Sequence, residues 1–235
     1  SYVFDLENMN LFKLVRSILD RTDVPRVRIS SLQPQDISEE LLELWSDPRL
    51  CPHFHVPLQS GSDSILKKMR RRYTSEEFQD SVRRIKRHVA DASVTADVIV
   101  GFPGESDRDF RDSVDACIEA GLASAHVFPY STRPGTSAAY FEGHIEPSEK
   151  SMRVRELSSV VGKLSAQFRE ASIGQTRQIL WETSESSENG TTWTGLTDNY
   201  LRARGKSEAD LANRITVATL EGFEGQLMRA RISEV

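Results

Sequence analysis

The sequence has little cysteine: its 235 residues contain only Cys51 and Cys117. The two lie far apart with no C-x-x-C pair, which excludes a disulfide framework and a cluster-binding set drawn from this chain alone. Both read as small buried hydrophobes. A long apolar run is also missing. No segment approaches the roughly 18 residues of a membrane span, and no charged-then-apolar leader opens the chain, which predicts a cytoplasmic protein. Excess positive charge is absent too, since 30 Lys and Arg against 35 Asp and Glu leave a net charge of -5. That balance argues against a surface generally coated for polyanions but leaves room for a local basic patch. The chain opens on Ser1 and not on methionine, and Tyr2-Val3-Phe4 reads as the tail of a strand. It is therefore read as the C-terminal part of a longer protein.

What is present is a globular composition, 38% hydrophobic and 28% charged, of a size that can bury a substantial core. The stretch CPHFHVPLQSGSDSILKKMRRRYT, from Cys51 to Thr74, organises the rest. As a strand it places His53, His55, Pro57 and Gln59 on one face and Phe54, Val56 and Leu58 on the other. A polar row on a strand of an α/β fold suggests a cavity, because such strands are usually apolar on both faces. The chain breaks at Gln59-Ser60-Gly61, and Ser62 or Asp63 is placed to cap a helix carrying Lys67, Lys68, Arg70, Arg71 and Arg72. Ligands of α/β proteins bind at such strand ends.

Helical spacing of Leu11, Leu14, Val15, Ile18 and Leu19 predicts a helix from about Asn8 to Arg21. Alternation predicts a first strand at Arg26–Ser31, followed by a short helix capped by Ser38. Phe78, Val82, Ile85 and Val89 mark a helix from about Ser75. The next strand, 94–100, carries Asp97 among apolar residues, where a carboxylate is costly without a donor or cation. A helix at 107–120, with Phe110, Val114, Cys117 and Ile118 inward, precedes a strand at 124–130. This alternation of strand and helix argues for an α/β fold with a parallel sheet, closed or partly closed into a barrel. After Pro147 the pattern changes. A long polar helix fills 148–173, and short alternating runs at 175–183, 191–204, 214–220 and 225–232, with an Asn189-Gly190 turn signal, predict a small antiparallel barrel over 174–235.

Three segments in order, PLQSGSDSILKKMRRRYT, DVIVGFPGES and YSTRPGTSAA, resemble the later part of the radical S-adenosylmethionine (SAM) barrel of the methylthiotransferase family. Residues from Gly174, notably TGLTDNYLRA and NRITVATLEGFEGQLMRARI, resemble that family's TRAM domain, an OB-like small β-barrel. RISSLQP, CPHFH and TDNYL look most like the MtaB branch, which adds a methylthio group to N6-threonylcarbamoyladenosine beside the tRNA anticodon. The resemblance implies 1–147 as the C-terminal part of the barrel, 148–173 as a connecting helix and 174–235 as the TRAM domain. It also implies S-adenosyl-L-methionine as cofactor, held by Gln59, Arg71 and Asp97, with Ser31, Ser60, Phe128 and Tyr130 lining the adenosine pocket. Tyr200, Arg202 and Arg204 would meet tRNA at its anticodon stem-loop.

Two 4Fe-4S clusters would belong to the full-length parent. The family's C-x-x-x-C-x-x-C loop and its N-terminal cluster domain are not among these residues, so the chain alone is expected to bind no cluster and to be inactive. Gln33-Pro34 stands where the branch motif has Glu-Pro, which puts a charged role there in doubt. Alternatives are the isopentenyladenosine (MiaB) and ribosomal-protein aspartate (RimO) branches, a pure RNA-binding module, and a metal-dependent barrel hydrolase built on His53 and His55 with Asp97 and His126.

Overall fold

The computed structural model describes residues 10–187 and 190–233. The chain divides into two compact units, Ser1–Leu164 and Ser165–Val235. Among the described residues, no helix is long and apolar enough to cross a membrane.

In the first unit, α1 (Leu11–Arg21) starts where the Asn10 side chain accepts from the Lys13 amide. The earlier start expected at Asn8, and the strand tail at Tyr2-Val3-Phe4, lie outside the described residues. The strand expected at Arg26–Ser31 does not form. Only Val27 is bridged, in parallel with Leu50, because Ser31 at φ 60° turns the chain out of extended geometry before a ladder can propagate. Helix α2 (Glu39–Glu43) follows its Ser38 cap, and β1 (His53–His55) follows α2.

The next helix, α3 (Asp63–Lys68), is shorter than expected. It closes as a Schellman turn, with Arg70 N–H donating to the Lys67 carbonyl and Arg71 N–H to that of Leu66. Arg70 takes the left-handed conformation at φ 57°, so Arg70, Arg71 and Arg72 fan out beyond the helix and do not share one of its faces. Thr74 with Glu77 and Ser106 with Asp109 form capping boxes for α4 (Ser75–His88) and α5 (Asp107–Ala120). Between these helices runs β2 (Ser93–Val100), and after α5 come β3 (Ser124–Pro129) and α6 (Pro147–Ala171), whose last residues belong to the second unit. Ile118, expected inward, is 50% exposed. The buried face of α5 runs through Phe110, Ser113, Cys117 and Ala120, and a 100° step from Cys117 leaves Ile118 outside it.

The three strands form one parallel sheet in the order β1-β2-β3, with His55 opposite Thr95 and Asp97 opposite His126. The described residues thus give three strands of the expected barrel and not four. Phe54, Val56, Leu58, Val94, Ala96, Val98 and Val100 are buried against the helices. Complete burial of a side chain such as Phe54 or Leu58 is worth about 1.5–3 kcal/mol. The opposite face carries His53, His55, Thr95, Asp97, His126 and Phe128, a polar surface at the strand ends.

In the second unit, β4 (Thr176–Ser187), β5 (Gly190–Thr197), β6 (Arg202–Lys206), β7 (Ile215–Glu224) and β8 (Leu227–Ile232) close a barrel in the order β4-β5-β6-β8-β7. The single run expected over 191–204 is two strands, because the chain turns between β5 and β6 with Tyr200 at φ 74°. Ser187 pairs with Gly190, so the expected hairpin is present, while Asn189 lies outside the described residues. Trp181 and Trp193 are core residues of this barrel. Their ring N–H groups donate to Thr216 Oγ1 at 2.8 Å and to the Ser207 carbonyl at 3.3 Å, as buried indoles require.

Candidate functional site

The sheet's polar face ends in a cleft of about 630 Å³ lined by Gln59, Arg71, Asp97, Phe102, Phe128 and Tyr130, among others. Gln59 owes its position to its backbone. Its N–H donates to the Asp97 carbonyl and its own carbonyl accepts from Ile99, at 2.8 and 2.9 Å. These bonds lock Gln59 to β2 in the left-handed region, φ 63°. The side chain points into the cleft, where Arg71 Nη2 donates to Oε1 at 2.9 Å.

The turn behind Gln59 is fastened to α5. Gly61 N–H donates to Ser113 Oγ at 2.9 Å, and Ser62 Oγ and Ser64 Oγ donate to Asp109 Oδ1 at 2.5 and 2.9 Å. Burial opposes ionisation of Asp109, but donors from Ser106, Ser62 and Ser64 outweigh it and hold the carboxyl below the usual range. Tyr73, whose phenol burial pushes up to about 12, donates to the Pro57 carbonyl at 2.8 Å.

The other wall comes from strand ends. Tyr130 N–H donates to the Val100 carbonyl at 2.8 Å, and the Phe102 and Tyr130 rings meet edge to face at 5.0 Å. Lys150 Nζ sits 5.4 Å over the Tyr130 ring. Behind this wall Glu105 Oε1 accepts from Gly101 N–H at 3.0 Å and from Arg153 Nη1 at 2.7 Å. Arg153 also reaches Asp107 and Glu149 at 2.9 and 2.5 Å. Burial pushes the Glu105 carboxyl above its ordinary value, and the Gly101 amide and Arg153 pull it back.

Five of the seven residues expected around a cofactor, Gln59, Arg71, Asp97, Phe128 and Tyr130, thus line one cleft. Ser60 is not among the lining residues; it is buried beside α5 with Oγ 3.3 Å from Ser113 Oγ. Ser31 is exposed and also lies elsewhere. The cleft adds Phe102, Lys68, Arg70 and Arg133, which the sequence reading did not single out. GFPGE at a strand end was a signal for Phe102; the left-handed turn that swings Arg70 round left none.

The histidines are not gathered as metal ligands. His53 Nε2 and His55 Nδ1 both address Thr95 Oγ1, at 3.0 and 3.1 Å, while His55 Nε2 lies 3.3 Å from Asp97 Oδ2. His126 packs beside Phe128. Among the described residues no three His, Cys, Asp or Glu side chains are placed to hold a metal, which removes the geometric basis of the hydrolase reading.

On the small barrel, Tyr200 is 46% exposed at the β5–β6 turn. Arg202 and Arg204 lie on the outer face of β6, where Arg202 faces Glu182 at 3.8 Å and Arg204 pairs with Glu224.

A family model described as the radical SAM superfamily matches residues 6–117. The threonylcarbamoyladenosine tRNA methylthiotransferase MtaB of Bacillus subtilis (strain 168) is 33% identical over 242 residues, spanning 100% of this chain and 54% of that protein. A tRNA-2-methylthio-N(6)-dimethylallyladenosine synthase of Pelotomaculum thermopropionicum is 38% identical over 192 residues, 81% of this chain and 43% of its own. The chain belongs to the radical SAM methylthiotransferase family. It spans about half the length of these curated relatives. Coproporphyrinogen III oxidase (HemN) from Escherichia coli, described as a radical SAM enzyme, superposes with a TM-score of 0.51 at 12% identity, covering 84% of this chain and 46% of that one. At that identity the likeness concerns fold alone.

The cleft of this methylthiotransferase-family chain fits a sulfonium nucleoside. Arg71 Nε and the Tyr130 hydroxyl are buried and have no hydrogen-bond partner among the described residues, and such atoms are costly unless a ligand completes them. Beside them stand a carboxylate, a carboxamide and aromatic edges, groups suited to ribose hydroxyls, a carboxylate and a purine. An iron–sulfur cluster does not fit: the only two cysteines, Cys51 and Cys117, are both buried.

Proposed function

We propose that this chain supplies the later strands and cofactor wall of a radical SAM tRNA methylthiotransferase acting on N6-threonylcarbamoyladenosine beside the anticodon. On this reading 1–147 is the C-terminal part of the barrel, 148–173 a connecting helix and 174–235 the TRAM domain. The whole protein is cytoplasmic and holds two 4Fe-4S clusters on residues outside this chain, which alone is inactive. The observation that carries the reading is the convergence of Gln59, Arg71 and Asp97 on one cleft, in a chain whose whole length aligns with 54% of an MtaB protein.

Gln59, Arg71 and Asp97 would hold S-adenosylmethionine, which, when bound, would supply radical chemistry through reductive cleavage of its sulfonium. The residues here bind and orient. The Gln59 carboxamide hydrogen-bonds ribose hydroxyls, Arg71 neutralises the cofactor carboxylate, and Asp97 accepts from a ribose hydroxyl. Phe102, Phe128 and Tyr130 exclude water around the base.

Arg71→Met is expected to weaken S-adenosylmethionine binding about 10- to 100-fold, the equivalent of about 1.5–3 kcal/mol for a charge-assisted hydrogen bond. Calorimetry on this chain measures it, and an unchanged affinity would remove Arg71 from the site. The activity is tested by nucleoside mass spectrometry of tRNA from a strain lacking the parent gene. The expected result is loss of the methylthio form of threonylcarbamoyladenosine. Loss of the isopentenyl form would transfer the assignment to the MiaB branch, and no change in either nucleoside would point away from tRNA.

A further inference from the structure

Several cations away from the cleft are already faced by carboxylates. On the small barrel Arg177, Arg202, Arg204 and Arg231 each meet a carboxylate, from Asp198, Glu182, Glu224 and Glu221. On α4, Arg83 is ringed by Glu76, Asp80 and Glu119. Around the cleft mouth the pattern reverses. Lys68, Arg70, Arg72 and Arg133 are exposed, and among the described residues none of them has a carboxylate within ion-pair distance. Lys68 Nζ reaches only the Gly104 carbonyl, at 3.2 Å, and Arg70 only Ser137 Oγ, at 3.4 Å.

These charges stand on both sides of the opening. Lys68 and Arg70 come from the end of α3 and Arg133 from the loop after β3, and all three line the cleft. Arg70 and Arg71 also line an adjoining pocket of about 330 Å³, whose other walls are Gln33, Gln35 and Arg72. That second pocket contains guanidinium and carboxamide groups and no carboxylate, a lining suited to phosphate oxygens and the polar edge of a base. A cation already neutralised by a carboxylate must break that pair before it can displace counterions from a phosphate. The unpaired cations therefore dominate binding to a polyanion.

We propose that the mouth of the cleft, through Lys68, Arg70, Arg72 and Arg133, is the surface on which this chain holds the phosphate backbone of its RNA, in place of the β6 face of the small barrel. This rests on the tRNA reading above. It assigns the electrostatic grip to the site where the target nucleoside enters.

The test is fluorescence anisotropy of a labelled anticodon stem-loop RNA titrated with this chain at several KCl concentrations. In the variant Lys68→Gln/Arg70→Asn/Arg72→Gln/Arg133→Gln, affinity at low salt is expected to fall, and the slope of log K against log salt to shrink by about 0.7–0.9 per lost phosphate contact. Asparagine is chosen at position 70 because it tolerates the left-handed backbone. Arg202→Gln/Arg204→Gln is expected to leave the slope unchanged, with circular dichroism confirming that both variants are folded. A slope lost with the β6 pair and kept with the rim variant would overturn the proposal, as would failure of the unaltered chain to bind the RNA at low salt. Either result would leave S-adenosylmethionine binding and the tRNA nucleoside assay to judge the functional reading separately.

Discussion

Arg153→Ala is expected to destabilise the first unit by about 3–5 kcal/mol, the usual range for breaking a buried ion pair from one side. Arg153 is 2% and Glu105 1% exposed by side chain, so truncation leaves a carboxylate in the interior with backbone amides of Gly101 and Phe102 but no cation to meet it. The deficit depends on pH. At acid pH Glu105 is protonated in the folded and unfolded chains alike, and little is lost with the arginine. As pH rises through the elevated folded value, the wild type gains a charge that Arg153 answers, whereas the variant gains one that the guanidinium no longer meets. Urea unfolding at several pH values should therefore show a gap that is narrow in acid and widens toward neutrality. Adding Glu105→Gln should restore part of the loss, with a coupling well above 0.5 kcal/mol for residues in contact. A gap that does not vary with pH would mean that Arg153 acts by packing on Phe110, over whose ring it lies at 5.5 Å.

Gly61→Ala is expected to be almost as damaging, for a steric reason. A Cβ at Gly61 would lie 2.2 Å from the Asp112 carbonyl oxygen and 2.6 Å from Ser113 Cα, both backbone atoms of α5. Neither can swing aside as a side-chain tip would. The turn and the helix must separate, which breaks the Gly61–Ser113 bond and shifts Gln59 two residues away. We expect about 3 kcal/mol or more of lost stability, at the upper end of overpacking costs, together with weaker S-adenosylmethionine binding. Gly135 is the control. It has open space around it and only a positive φ, 81°, so alanine there should cost about 1 kcal/mol. Equal melting shifts for the two variants would contradict the close-contact account.

The elements most legible in the sequence were those whose local signals agreed with their packing. The apolar periods at Phe78, Val82 and Ile85 and at Phe110 and Cys117 place α4 and α5, and the run at 94–100 gives β2. The strand expected at Arg26–Ser31 failed because alternation reports which side chains could share a face and not the left-handed backbone at Ser31, which keeps the run from a regular ladder with the segment beside it. Arg71 reaches the site by a route that the sequence does not show. Its side chain reaches Gln59, yet from a left-handed turn and not from a helix, and non-glycine residues with positive φ leave no reliable sequence signal. Arg153 is not legible in the sequence because a long polar helix gives no sign of which of its charges will be buried. Thr95 is not legible either, because a hydroxyl on a strand looks ordinary until two imidazoles are found on it.

That last contact has a direction. Burial pushes the His53 imidazole down to about 3, so near neutral pH its ring carries a single proton. If neutral His55 donates from Nε2 to Asp97, its Nδ1 must accept the Thr95 hydroxyl hydrogen, and the threonine oxygen is then left to accept from His53 Nε2. In that arrangement one hydroxyl sets the tautomers of both rings, and every donor in the row points toward the carboxylate in the cleft. A ligand hydroxyl donating to Asp97 would compete with His55 for the same oxygens, and the competition would be felt two side chains away in a ring that the ligand never touches.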